Sequence, residues 1–292
     1  MAPEAILATS QAVLDRRQSS AIAGQVSGGQ TRSRPRLDGL LLAGILIAVG
    51  ATLIGISSTG VSLSYFLQPT GAIIVLGGTL GVTLVTTPRN SLLHSAQRVL
   101  DLLAASDAQP EALIEHIAEC ARARRRGVAA LELALPKIEN VFLRKGLQLG
   151  LELTDRNELR TILETELRMA ERQGEADAKT LEVAGGFAPT IGIIGTVVGL
   201  IDVLRNFSNL QIVGHGIGIA FVSTIYGLVL ANLVLLPAAH RIRARVAENF
   251  ETQEMILEGV LAIVDSVHPA LIRMRLEPFA RQSGREAKSQ NA

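Results

Sequence analysis

Four stretches of this chain are too long, too apolar and too poor in charge to suit a soluble core. They are LDGLLLAGILIAVGATLIGIS (Leu37–Ser57), TGAIIVLGGTLGVTLVT (Thr70–Thr86), Val183–Leu204 and IGIAFVSTIYGLVLANLVLL (Ile217–Leu236). A helix needs about 20 mainly apolar residues to cross the hydrocarbon of a bilayer. Lipid offers no partner to backbone N–H and C=O groups, so a spanning segment must satisfy them internally. The alternative is four buried helices of a large soluble protein. It fits poorly, because the runs are nearly uncharged and sharply bounded, the second by Pro88 and the fourth by Pro237. The expected fold is therefore all-α: a polytopic membrane protein with four transmembrane helices and a helical cytoplasmic block between spans 2 and 3.

Composition agrees. Hydrophobic residues make up 48% of the 292 and the mean hydropathy is +0.33, high for a soluble domain. Aromatic residues are only 3%, with no tryptophan, so an interfacial aromatic belt is nearly absent. The net charge of +1 gives no case for nucleic acid, whose partners carry a strongly basic footprint. A single cysteine, Cys120, excludes an internal disulfide framework and suits a reducing compartment. The long polar start does not read as a secretory signal.

The chain divides into five parts on this pattern. Residues 1–35, rich in Ser, Gln, Gly and Ala, are expected to be mostly disordered, with one short helix near Ala5–Arg17. Residues 36–88 hold spans 1 and 2, and 89–182 form the cytoplasmic helical domain. Residues 183–237 hold spans 3 and 4, and 238–292 form a cytoplasmic helix and tail. In the charged block, Leu92, Ala96, Val99, Leu100 and Leu103 follow helical spacing, as do Leu113, Ile114 and Ile117. Pro136 should bend or separate two helices. Asp155 and Glu158 have the spacing of a capping box. They should start a helix with Leu159, Ile162, Leu163 and Leu167 on one side, and that helix can run unbroken into the third span.

Lys and Arg near span ends set orientation. Arg32, Arg34 and Arg36 precede the first span, Arg89 and Arg98 follow the second, and Arg241, Arg243 and Arg245 follow the fourth. Loop 58–69 carries no charge and loop 205–216 one arginine. Both termini and the large block are therefore expected in the cytoplasm, with the short loops outside.

The candidate site lies in spans 3 and 4. Within APTIGIIGTVVGL (188–200), Pro189, Gly192, Thr196 and Gly199 recur at three- or four-residue steps and share a helix face. Gly195 and Gly199 form a small-xxx-small pair, which lets helix backbones approach closely in lipid. Such glycines can serve packing alone. The fourth span adds Ser223, Thr224, Tyr226 and Asn232, with Thr224 near mid-span as Thr196 is. Each hydroxyl can simply bond back to its own helix, but mid-span hydroxyls on two helices favour a polar seam. A proline inside a span leaves one carbonyl without its usual donor, making a flex point.

No Asp, Glu, Lys or Arg sits at the middle of any span, with Asp38 and Asp202 only at edges. Ion pumps and proton channels place titratable groups at depth. If this chain conducts ions, a partner helix must bring the acid, and a face of small residues leaves room for one.

APTIGIIGTVVGL, followed by FVSTIYGLVLANLVLLP (221–237), resembles the core of the flagellar motor stator family typified by MotA and its sodium-driven relatives. PTGAIIVLGGTLGVTLV (69–85) resembles that family's second span, and LEGVLAIVDSVHPALIRMRLEPF (257–279) its tail. The resemblance runs roughly from Arg36 to Ala280. The core motif is shared with the wider superfamily that includes TolQ and ExbB, but two spans before the block favour the MotA side. The resemblance implies a homo-oligomer, five copies of this chain around two copies of a MotB-like partner. That single-span, peptidoglycan-binding subunit supplies the ion-binding aspartate. It also implies that the pentamer turns in the bacterial inner membrane while its cytoplasmic block pushes on the rotor protein FliG.

Carried over residue by residue, Pro189 matches the family's proline in the inner part of the third span, and Pro237 the one ending the fourth. Arg124 and Glu132, in ARRRGVAALE (123–132), are similar to the rotor-facing pair, with Arg125 and Arg126 leaving the basic member open; a solvated helix face is the plainer reading. Thr196 and Thr224 match positions where sodium-type members carry threonine. The transported ion is expected to be H+, with Na+ as the alternative. Two rivals stand beside this: an ion-driven energiser of another envelope machine, and a non-conducting scaffold. No enzyme is expected and no cofactor or metal site. His94, His116, His215, His240 and His268 are scattered, without metal spacing or a nucleophile motif.

Overall fold

The computed structural model describes residues 39–58, 60, 63–102, 110–153 and 155–290. The expectations for residues 1–35 and for Leu103 lie outside them. Among the described residues every regular element is helical. In chain order these are α1 Gly39–Ser58, a 3₁₀ turn Leu63–Phe66, α2 Pro69–Thr86, α3 Arg89–Asp101, α4 Pro110–Arg126 and α5 Val128–Glu132. A 3₁₀ turn Leu135–Lys137, α6 Val141–Glu152, α7 Arg156–Arg205, α8 Leu210–Val264 and α9 Pro269–Gln290 follow. Three of these, α2, α7 and α8, are long and apolar enough to cross a membrane. The described apolar part of α1, Leu46–Ser58, is shorter.

Helix boundaries follow local chemistry. α2 ends because Thr87, which precedes Pro88, is forced to extended backbone (φ −122°, ψ 135°). Pro88 then caps α3. Asn140 caps α6 by accepting from Leu143 N–H at 2.9 Å. Asp155 starts α7, its Oδ1 accepting from Asn157 N–H at 2.8 Å. The 50-residue α7 then continues through Pro189. Pro136 sits in the 3₁₀ turn that separates α5 from α6.

Pro237 behaves otherwise than the sequence suggests: it does not end its helix. Leu236 stays helical (φ −68°, ψ −44°) and donates to Ala231 O, five residues back. A π-helical turn, Leu230–Leu235, has widened the helix just before the proline. The wider turn leaves room for the pyrrolidine ring and absorbs its missing N–H, so α8 runs on to Val264. α2 carries a similar π turn at Ile73–Gly77.

The described residues form two compact units. The first comprises Ala112–Arg160 and Ile256–Leu276. Its core holds Ile117, Leu131, Leu143, Leu147, Leu159, Leu261 and Ile272, each at most 1% exposed. Glycines let its helices meet: a methyl on Gly150 would lie 2.6 Å from Val264, and one on Gly259 2.9 Å from Ile117. Glu115 joins Arg122 and Arg273, and the Arg122 hydrogen bond leads in holding its carboxyl below the usual range. Cys120 is buried here, and burial pushes its thiol up to about 11.

The second unit contains α2, α3, α7 from Thr161 onward and α8 to Met255. Leu163 and Leu167 are buried as expected, whereas Ile162 is 39% exposed. In α3, Leu100 is 69% exposed and Ser95 is buried instead, so the inward face is rotated from the apolar stripe. A polar bond to α7, described below, sets that rotation.

Candidate functional site

α7 and α8 touch backbone to backbone. A methyl on Gly199 would lie 2.6 Å from Gly216 O and 2.7 Å from Ala220 N. One on Gly192 would lie 2.9 Å from Ser223 O, and one on Gly227 2.6 Å from Ala188 O and 3.2 Å from the Pro189 Cα. One on Gly195 would lie 2.5 Å from the Ser223 side chain. These glycines are the condition for the contact, since any side chain would hold the two axes apart. The small-residue face of the third candidate span is thus filled by α8 of the same chain.

At the centre of this contact Thr196 Oγ1 and Thr224 Oγ1 lie 2.6 Å apart. Thr196 Oγ1 is 3.0 Å from Ala220 O across the interface and 3.3 Å from Gly192 O on its own helix. Thr224 Oγ1 is 3.5 Å from Ala220 O. With one proton on each hydroxyl, the best assignment has Thr196 donating to Ala220 O and Thr224 donating to Thr196. The Thr196 hydroxyl therefore bridges two helices and does more than close on its own backbone. Both threonines are half-buried. The cluster gathers two hydroxyl oxygens and a carbonyl, all neutral. It can offer oxygen ligands to a hard cation, but it has no group that takes up a proton. A cation entering between the hydroxyls has to part them.

The remaining site residues divide. Ser223 is fully buried; its hydroxyl donates to Ile219 O at 2.7 Å, and Gly71 of α2 packs on it. Tyr226 donates to Phe66 O and accepts from Gln68 N–H at 3.3 Å, which ties the segment before α2 to α8. Pro189 is half-buried against Gly227, and its ring leaves the Gly185 carbonyl without the usual helical donor. Pro237 is exposed and lies well along α8 from the threonines. The pair Arg124 and Glu132 is split by Gly127, whose φ of 130° ends α4 and starts α5, so the two do not share one helix. Glu132 is exposed. Among the described residues no cluster of three His, Cys, Asp or Glu side chains is placed to hold a metal. His268 serves the backbone, its Nδ1 accepting from Ala270 N–H at 3.2 Å where α9 begins.

Sequence reading missed Asp177, which is fully buried on α7 and paired with Arg98. The signal was in the register. Gly174, Ala178, Leu181 and Ala188 mark a close-packed stripe along α7, and Asp177 falls within it.

The model of the MotA/TolQ/ExbB proton channel family matches residues 134–255. Motility protein A of Bacillus subtilis (strain 168) is 29% identical over 243 residues, 82% of this chain and 90% of that protein. Chemotaxis protein PomA of Vibrio alginolyticus is 29% identical over 226 residues, 77% of this chain and 89% of that one. The structure of the flagellar MotAB stator complex from Bacillus subtilis aligns with a TM-score of 0.73 at 29% identity, covering 80% of this chain and 93% of that one. Over most of its length this chain is thus similar to MotA-type stator proteins, and the family match takes in the α7–α8 contact.

Proposed function

We propose that this chain is the ion-conducting membrane subunit of a flagellar stator, coupling cation flow to torque on a rotor. The observation that carries this is the seam at Thr196 and Thr224: a polar contact at mid-span with no carboxylate, in a chain whose relatives are motility proteins. The missing acid comes from a MotB-like subunit, as the MotAB composition of the aligned stator complex suggests. The chain sits in the inner membrane with four spans, and with both termini and the helical block 89–182 in the cytoplasm. Five copies surround two partner spans, and the block acts on FliG through the Arg124–Glu132 region.

The ion path runs past Thr196, Thr224 and Pro189, with Gly192, Gly199 and Ser223 holding the helices close enough for the seam to form. Tyr226 anchors the outer loop, and Pro237 lies where α8 leaves the seam. Moving one charge down 100 mV releases about 2.3 kcal/mol, enough to bias a step across a smooth small-residue contact.

Protons are the first reading, because neutralising one partner carboxylate suffices to drive a step. Sodium is the second, favoured by three oxygens converging at Thr196, Thr224 and Ala220. Swimming of Thr196→Val and Thr196→Ser strains in sodium-free and sodium-rich media separates them. Under the proton reading, Thr196→Val swims several-fold slower in both media and Thr196→Ser restores speed. Wild-type swimming that stops without sodium selects the second reading. Full speed in Thr196→Val under both conditions removes the seam from the mechanism.

A further inference from the structure

Just past the apolar segments of α2, α7 and α8, the second unit brings α3, α7 and α8 into a three-helix collar. Its centre is apolar: Leu102, Ala178, Ile242 and Val246, with Val99, Leu181 and Ala238 packed on them. The axes are close, since a methyl on Gly174 would lie 2.3 Å from Val246. Around this core each pair of helices is joined by an arginine from one to the other. Arg98 of α3 reaches Asp177 of α7, Nε to Oδ2 at 2.7 Å. Arg243 of α8 reaches Glu182 of α7 at 2.6 Å and Glu175 at 3.1 Å. Arg245 of α8 reaches the Asp101 carbonyl at 2.6 Å and the Leu102 carbonyl at 3.2 Å, at the C-terminal end of α3. There the unfilled carbonyls and the helix dipole both favour a cation.

Asp177 is the most constrained of these groups. Its side chain is 0% exposed. Besides Arg98 it accepts from Gln173 Nε2, one turn back on α7, at 3.0 Å, and the buried Ser95 hydroxyl lies 3.0 Å from its backbone carbonyl and 2.6 Å from Ser91 O on α3. Such a pair adds little net stability over an apolar pair of the same shape, because the buried Asp177 carboxylate loses its water while Arg98 stays partly exposed. What it fixes is register. One arrangement of α3 on α7 brings both Arg98 and Ser95 to Asp177, and a slip of either helix leaves a buried carboxylate with only Gln173 of its own helix. This explains why α3 turns Ser95 inward and leaves Leu100 outside. Asp177 and Thr196 lie nineteen residues apart on α7, about 28 Å at helical rise.

We propose that this arginine-locked collar is the rigid coupling of the machine: it locks α3, α7 and α8 to move as one body, so that displacement at the threonine seam becomes torque. Arg98, Asp177, Arg243 and Arg245 are positioning residues that carry load and take no part in the ion path. The proposal rests on the stator reading above.

Its test separates ion flow from torque. The full chain is expressed with its acid-bearing single-span partner in cells lacking their own stators. Membrane abundance, ion flux and stall torque per stator are measured. Asp177→Asn removes the charge at nearly constant volume, and Arg245→Gln loosens a half-buried link without touching the buried node. In both variants abundance and flux are expected within twofold of wild type, while stall torque falls at least fivefold in Asp177→Asn and at least twofold in Arg245→Gln. The reversed pair, Arg98→Asp with Asp177→Arg, is expected to regain at least half of the lost torque. Unchanged torque in Asp177→Asn overturns the collar, as does torque that falls only in proportion to flux or abundance. A wild-type complex that neither passes ions nor turns the rotor overturns both the collar and the stator reading. A working wild type with an indifferent Asp177→Asn overturns the collar alone.

Discussion

Thr196 and Gly199 show how single atoms decide what this chain can do. A β-carbon at Gly199 would sit 2.6 Å and 2.7 Å from backbone atoms of α8, which cannot swing aside as a side chain tip can. Gly186, on the same helix, is exposed and has open space around it. Gly199→Ala should therefore cost about 1–3 kcal/mol through forced separation of α7 and α8. Gly186→Ala should be neutral or gain up to about 1 kcal/mol of helix propensity. Thermal unfolding of the two purified variants checks this, and equal midpoints would mean the helices are not held at backbone contact. The separation matters for chemistry as well as stability. Thr196 reaches Ala220 O and Thr224 only because glycines at 192, 195 and 199 bring the axes together. The periodicity of those glycines was legible in the sequence. The occupant of their face was not: small-residue spacing says that something packs closely, not whether it comes from this chain or another. Asp177 was harder to place for a related reason: its register puts it within a close-packed stripe, but its partner Arg98 is far away in sequence.

Among the elements, capping chemistry was the reliable guide. Asp155 marks the start of α7, Pro88 and the extended residue before it end α2, and Pro136 separates α5 from α6. Pro237 misled because a π turn lets α8 pass it, and π turns have no local sequence signature. The face of α3 misled because Ser95 and Arg98 have partners on α7 that outweigh the apolar stripe. The link between α8 and α7 predicts a pH response. The hydrogen bond from Arg243, ahead of its charge and that of Lys179, holds the Glu182 carboxyl below the usual range. A folded-state value below the unfolded one, about 4.3 for Glu, gives stability that is present above that value and lost as pH falls through the lower one. Arg243 also holds Glu175, and it remains protonated throughout. The difference in unfolding temperature between wild type and Glu182→Gln should be constant from pH 7 to about 5 and shrink below about 4. A difference that persists unchanged to pH 3 would remove Glu182 from the link.

For the whole molecule, the central observation is a division of labour. The described helices of this chain bring hydroxyls, carbonyls and a close glycine contact together in two candidate spans, and the sequence places no acid at the middle of any candidate span. Charge collects instead beyond the spans, in the Arg98, Arg243 and Arg245 links. On the function proposed above, a subunit so built positions and moves an ion site that a MotB-like chain completes. Ion flux into cells producing this chain alone, this chain with its single-span partner, and this chain with a partner whose membrane aspartate is replaced by asparagine tests that division directly. Flux only when the partner's aspartate is present is the predicted result; flux of comparable size from this chain alone would contradict it.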